Sequence, residues 1–193
     1  MKDDFWIFVA LDANTKLVPY FSIGKRTSSR ALEMMEELHK RVKNRFQLST
    51  DSFPGYFDAV DLVFWGRGID YAQIHKHFQN TPEGTKRYLP AHIIRVSKKQ
   101  MLGYADVAKI SISYVERQNL TMRMQMRRLT RLTNAFSKKL YNLQCAVALH
   151  FFHYNFMRIH QTLRVTPAME AGITKTIWSW ENLLGISKQR KVA

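Results

Sequence analysis

Residues 5–23 read FWIFVALDANTKLVPYFSI, and this stretch decides the fold class. Phe5 to Leu11 is a continuous apolar run rich in β-formers, the pattern of a buried strand. Asp12 to Lys16 is a short polar turn, and Leu17 to Ile23 is a second strand, so the stretch predicts a β-hairpin. Pro19 cannot donate to a ladder, which puts the second strand near an edge or at an irregularity. Downstream, Ser28 and Ser29 can cap a helix in which Leu32, Met35, Leu38, Val42 and Phe46 recur at near-helical spacing. Phe46 to Thr50 reads as a short strand with Asp51 at its end, followed by a turn over Ser52–Gly55. Strand, helix, strand in that order is the α/β pattern.

Further on, residues 57–66 fit a helix with Tyr56, Val60, Val63 and Phe64 to one side. Residues 67–109 mix short β-like runs (71–78 and 92–96) with Pro82, Gly84, Pro90 and Gly103, and are expected as an irregular insertion with one hairpin. From Tyr114 the pattern turns helical. Met122, Met126, Leu129, Thr133, Phe136 and Leu140 follow one another at spacings of three and four, which predicts one face of a long basic helix. Residues 141–160 are apolar nearly all round and predict a buried C-terminal helix. Cys145 falls in it as a small core residue. Trp178 and Trp180 are expected to cover the core near the C-terminus.

The charge is lopsided. The chain has 193 residues, with 30 Lys and Arg against 15 Asp and Glu, a net charge of +15. Residues 1–116 hold 17 basic and 13 acidic side chains, whereas residues 117–193 hold 13 basic and 2 acidic. From Arg117 to Met169 there is no acid. A solvated helix face would intersperse acids as i,i+4 partners, because unrelieved like charges weaken a helix. Their absence points to a polyanionic partner, nucleic acid before membrane. One cysteine excludes a disulfide framework and a cysteine-rich zinc site, and the seven histidines form no HExxH-type cluster, so no zinc is expected. No apolar run has the roughly 18 residues of a membrane span, and the first residues, Met-Lys-Asp-Asp, lack a basic leader. The expected location is the cytoplasm.

Two acids stand out by context. Asp51 ends a strand, where α/β sheets assemble their sites. Glu116 is the last acid before the basic stretch. Either alone is ordinarily a salt-bridge partner. Together they suggest a site for Mg²⁺ or Mn²⁺, ions that take carboxylate oxygens plus substrate phosphates and can clamp an in-line phosphoryl displacement.

These segments resemble an insertion-sequence transposase of the DDE type, whose catalytic core is ribonuclease-H-like, as in retroviral integrases. FWIFVALDANTKLVP resembles the second and third strands of that core. LSTDSFPGY resembles the segment of the second catalytic Asp, here Asp51. SYVERQNLTMRMQMRRLTRLTNAFSKKL resembles the helix of the catalytic Glu, here Glu116. The tail YNFMRIHQTLRVTPAMEAGI resembles the family signature through Tyr154, Asn155, Arg158, His160, Leu163, Thr166 and Pro167.

The resemblance implies an α/β fold with a ribonuclease-H-like mixed sheet flanked by helices. Residues 1–170 would be the core, with the insertion at about 67–109, and 171–193 a C-terminal tail. It implies Mg²⁺-dependent cleavage and strand transfer on double-stranded DNA at element ends, by a homo-oligomer. Asp51 and Glu116 would be catalytic metal ligands. Arg117, Arg123, Arg127, Arg128, Arg131, Lys138, Lys139 and Arg158 would contact phosphates. The family's first Asp lies on the first core strand, and this chain reads as beginning at the second. Asp12 is then either the missing ligand or a turn residue placed for local backbone reasons. Asp3 and Asp4 precede the strand and make no better candidates. With one carboxylate missing, the expectation is weak or absent cleavage, and the alternative is a non-catalytic DNA-binding remnant or regulator of a full-length transposase. His160 and Arg158 are expected to stabilise the turn after the helix, or to touch DNA.

Overall fold

A computed structural model describes residues 5–66, 68–79, 92–130 and 134–185. The chain is mixed α/β. It divides into two compact units, Met1–Phe8 with Tyr20–Glu116, and Val9–Pro19 with Arg117–Ala193. The expected hairpin strands form as β1 (Trp6–Ala10) and β2 (Tyr20–Gly24), paired in a two-stranded sheet.

In the first unit, α1 spans Ser28–Arg41. Its cap is Thr27, one residue before the expected serines: its backbone is extended and its hydroxyl accepts from the Arg30 N–H. Ala31, Met34, Met35 and Leu38 form the buried stripe. His39, Lys40 and Arg41 fill the last turn, where the helix dipole favours positive charge. The next helix, α2 (Gly55–Phe64), packs on α1. Gly55 makes that approach possible, since a Cβ there would lie 3.0 Å from the Ser28 Cα. Phe64 meets the ring edges of His39 and Phe46 at 5.2 and 5.6 Å.

Three strands make the larger sheet, in the order β3 (Gln47–Asp51), β4 (Asp70–Phe78) and β5 (Ile93–Leu102). β3 and β4 run parallel, with Asp51 opposite Ile74; β4 and β5 run antiparallel. Segment 67–109 holds the expected hairpin pair, β4 with β5, and these are two of the three strands of the sheet. Tyr71 to Ile74 are all buried, because β4 is central. The buried Tyr71 hydroxyl is bonded to Thr50 Oγ1 and Gln73 Nε2, each at 2.8 Å, so burial leaves it satisfied. At the near end of β4, Arg45 grips Asp70 with two hydrogen bonds (2.7 and 3.1 Å). The Tyr104 N–H also donates to Asp70. These bonds, Arg45 first, hold the Asp70 carboxyl below its ordinary range. Residues 80–91 lie outside the described residues.

The second unit is helical. α3 (Ser113–Gln125) begins at the end of the first unit and continues into the second, which also holds α4 (Leu140–Phe152), α5 (Pro167–Glu170) and α6 (Trp180–Leu184). The single long basic helix is not formed. Met126 has extended dihedrals, a 3₁₀ turn follows at Arg127–Leu129, and the Thr130 hydroxyl donates to the Arg123 carbonyl. Arg123 and Arg127 sit four apart at this point, a like-charge spacing that weakens a continued helix by about 0.2–0.5 kcal/mol. Nor is α4 buried all round. Val147 and Phe151 are buried, while Tyr141, Cys145 and Leu149, spaced by four, are exposed. The packing covers one stripe, so Cys145 is a surface residue and not a core one.

After α4, a π-helical turn (His153–Met157) carries Asn155 inward. Its amide exchanges two hydrogen bonds with the backbone of Val18, 3.0 Å from Val18 N and 2.9 Å to Val18 O, as a neighbouring strand would. The segment around His160 forms the expected turn, closed by His160 N to Val165 O and Arg164 N to His160 O. The Thr-Pro pair of the tail is a helix start, with Thr166 accepting from the Met169 N–H and Pro167 at the first position. Trp178 packs on Phe152 and Phe156 with ring centroids 5.9 and 5.2 Å away, as its expected covering role requires.

Candidate functional site

The sheet register places Asp51. Residues two apart on a strand share a face, and register partners on adjacent strands share it too. Gln47, Ser49 and Asp51 therefore lie on the same face as Asp70, Ala72, Ile74 and Lys76. Asp51 stands opposite Ile74, and Lys76 is the next residue of β4 on that face, so the two charged positions are diagonal neighbours.

The same face receives the chain again after β5. The Gln47 amide bonds the Asp106 backbone twice, at 2.7 and 3.1 Å. Ala105, Ile110 and Ile112 then pack on Ala72 and Ile74. Gly103 makes the turn into this segment: its φ is positive, and a Cβ there would lie 2.5 Å from Asp70 Oδ1. α3 starts where this segment ends, and its first turn carries Glu116. There the Lys76 ammonium hydrogen-bonds Glu116 Oε1. Asp51 and Glu116, far apart in sequence, are joined to one sheet face by this route.

Each acid already holds a cation. Arg26 Nη2 lies 2.8 Å from Asp51 Oδ2. Its guanidinium stands over the rings of Trp6 and Phe53 at 5.0 and 4.7 Å, a planar cation held by two aromatic faces. The other oxygen, Asp51 Oδ1, accepts from the Phe53 N–H and so fixes the turn into α2. Asp51 and Glu116 are each half exposed, at 48% and 50% of the side chain. The nearby Tyr56 hydroxyl is pushed well above its usual pKa, by burial first and the Asp51 charge second, with Arg26 opposing.

The two carboxylates are half exposed and are oxygen donors of the kind a hard divalent ion takes, and each is paired with a positive group. A third ligand is not in view. Asp12 is committed to its own turn, where its carboxylate accepts from Asn14 N, Thr15 N and Thr15 Oγ1. Among the described residues no group of three or more His, Cys, Asp or Glu could hold a metal. Asp3 and Asp4 lie outside the described residues.

The basic residues are distributed over several elements. Arg117 and Arg123 are exposed on α3, Arg127 and Arg128 on the 3₁₀ turn, and Lys138 and Lys139 just before α4. Arg128 Nη1 bonds the Ser137 hydroxyl at 2.9 Å. Arg158 follows the π-helical turn, with its N–H on the His153 carbonyl. Arg131 lies outside the described residues.

Sequence reasoning missed Arg26 and Lys76, and named Asn155 only as part of the family signature, without its contact to Val18. The first two make contacts 25 and 40 residues away, which no local pattern reveals. Asn155 did carry a signal: an amide inside an apolar run must find partners when buried. Among the described residues no helix is long and apolar enough to cross a membrane. No family model matches the chain, and neither a curated protein nor a solved structure does.

Proposed function

We propose that the chain is a DDE-type transposase by descent, a DNA-binding protein whose chemistry is Mg²⁺- or Mn²⁺-dependent phosphoryl transfer at Asp51 and Glu116. The observation that carries this reading is the shared sheet face: Asp51 at the end of a parallel strand, and Glu116 brought to the same face through Lys76. The fold supports it as well. The chain is α/β and its larger sheet is mixed, with β3 and β4 parallel and β4 and β5 antiparallel, which is compatible with such a core.

A bound divalent ion would supply Lewis-acid polarisation of the phosphodiester. The chain's own residues do the rest. Asp51 and Glu116 supply the oxygens. Arg26, held between two rings, keeps the Asp51 side chain in one orientation. Lys76 neutralises Glu116 until a stronger cation arrives. Arg117 and Arg123, on the helix that carries Glu116, contribute phosphate contacts whose strength falls with salt.

One observation favours a second reading. The Asp12 carboxylate is occupied by its turn, which leaves two acidic ligands among the described residues. On this reading the chain binds DNA without cutting it and regulates a complete enzyme. Plasmid nicking in Mg²⁺ decides between the two. We expect salt-sensitive DNA binding with slow nicking that disappears in both Asp51→Asn and Glu116→Gln. Binding with no nicking selects the regulator. Nicking unchanged in both variants removes these acids from the chemistry. Fast nicking abolished by Asp12→Asn would make Asp12 the third ligand.

A further inference from the structure

The helical unit holds a shallow, open cleft that the acid pair does not use. Its volume is about 500 Å³, and its walls include Gln125, Leu149, His150, His153, Arg158 and Trp180. Trp180 is 45% exposed. Its ring lies nearly parallel to that of His153, with centroids 6.1 Å apart and planes at 13°. The Trp180 backbone is pinned by a capping box, Ser179 and Asn182 bonding each other reciprocally, so the ring stands on a fixed helix start. Phe152 lies beside it, 6.4 Å from the Trp180 centroid. The result is a cluster of aromatic rings beside the cleft, with Trp180 and His153 on its wall.

The polar groups of the cleft are of a particular kind. Arg158 brings a planar cation, and Gln125 an amide that both donates and accepts. His150 has a buried Nε2 with no hydrogen-bond partner among the described residues. Burial first, then His153 and Arg158, lowers the His150 pKa, so the ring stays neutral and its open nitrogen can take part in a hydrogen bond. The acid-free stretch from Arg117 to Met169 contributes all but Trp180 of these residues, which disfavours a cationic or acid-seeking ligand. An aromatic platform, an arginine and an unsatisfied hydrogen-bonding edge suit one ligand class: a flat heteroaromatic ring with its own polar edge and an attached phosphate. The volume admits one nucleotide. Bases inside a duplex are stacked and cannot enter such a cleft.

We propose that this cleft receives an unpaired base of single-stranded DNA, with the base against Trp180 and His153 and its phosphate on Arg158. The inference rests on the DNA-binding reading above and narrows it to strand ends or opened duplex.

The test is anisotropy titration of the full chain against a labelled blunt duplex and the same duplex with a single-stranded thymidine overhang. The wild type should bind the overhang DNA roughly tenfold more tightly, as one or two stacked bases provide. Trp180→Ala should abolish that preference and leave blunt-duplex affinity within about twofold, while Trp180→Phe, which keeps a stacking face, should retain most of it. Equal affinity of the wild type for both DNAs overturns the cleft assignment alone, whether or not the variants fold. Failure to bind either DNA overturns the DNA-binding reading with it. Equal loss on both DNAs in Trp180→Ala also overturns the assignment.

Discussion

The sheet unit and the helical unit handle charge in opposite ways. In the sheet unit ion after ion meets its complement: Arg26 with Asp51, Arg30 with Glu33, Arg41 with Glu37, Arg45 with Asp70, Lys76 with Glu116. In the helical unit the positive groups from Arg117 to Arg164 run on without an acid between them, and α3 ends among them. Local pairing lets strands and helices follow their apolar pattern undisturbed. Where like charges stand four apart, the apolar period does not continue as one helix. An apolar period is therefore a good guide to structure only where the charges around it are balanced.

The comparison can be tested at the core first. Phe151 is buried in the helical unit, and Met35 is equally buried in α1. Changing Phe151 to Ala should cost about 3–5 kcal/mol, and changing Met35 to Ala about 2–5 kcal/mol. Urea denaturation reads both. A loss below about 1 kcal/mol for Phe151→Ala would mean the helical unit lacks a packed core of its own. Asn155→Ala comes next. It leaves the Val18 N–H and C=O without partners. Each buried group left unmade costs about 1–3 kcal/mol. Substitution by Asp, which keeps only the acceptor, should recover part of the loss.

Titration of histidines should affect the helical unit. Burial, His153 and Arg158 lower the His150 pKa, and burial, Lys16 and Arg158 lower that of His160. The native chain therefore resists a proton that the unfolded chain accepts near the ordinary value of about 6.5. Stability should be level above that pH and decline as pH falls through it, by at most about 1.4 kcal/mol per unit for each histidine. His150→Gln should flatten the profile between neutral and mildly acidic pH; an unchanged slope would remove His150 from the account. The smallest effect belongs to the acid pair. Asp51→Asn and Glu116→Gln break half-exposed ion pairs and should shift stability by no more than about 1 kcal/mol, even if they abolish nicking. A larger loss would make these residues structural.

Much of the sheet unit was legible. β1, α1, β3 and α2 follow from apolar runs, caps and turn residues within a few positions of the sequence. β4 and the start of β5 were legible as the runs 71–78 and 92–96 with one hairpin; the second half of β5, to Leu102, was not, because its residues are mostly polar and exposed. The candidate acids were legible by context, but their cations were not: Arg26 and Lys76 look like ordinary surface charges until the register places them. In the helical unit a correct period produced an incorrect continuous helix, and an apolar run produced a helix covered on one side only. Hydrophobicity states what could be buried, and the number of available neighbours decides how much of it is.

Cys145 has a practical consequence. It is the sole thiol of the sequence, and it stands at the surface of α4 one turn after Tyr141. A maleimide dye would therefore attach at one defined point per molecule without any engineering. The unaltered protein thus comes with its own attachment site for following, by energy transfer, how far a labelled oligonucleotide end settles from α4.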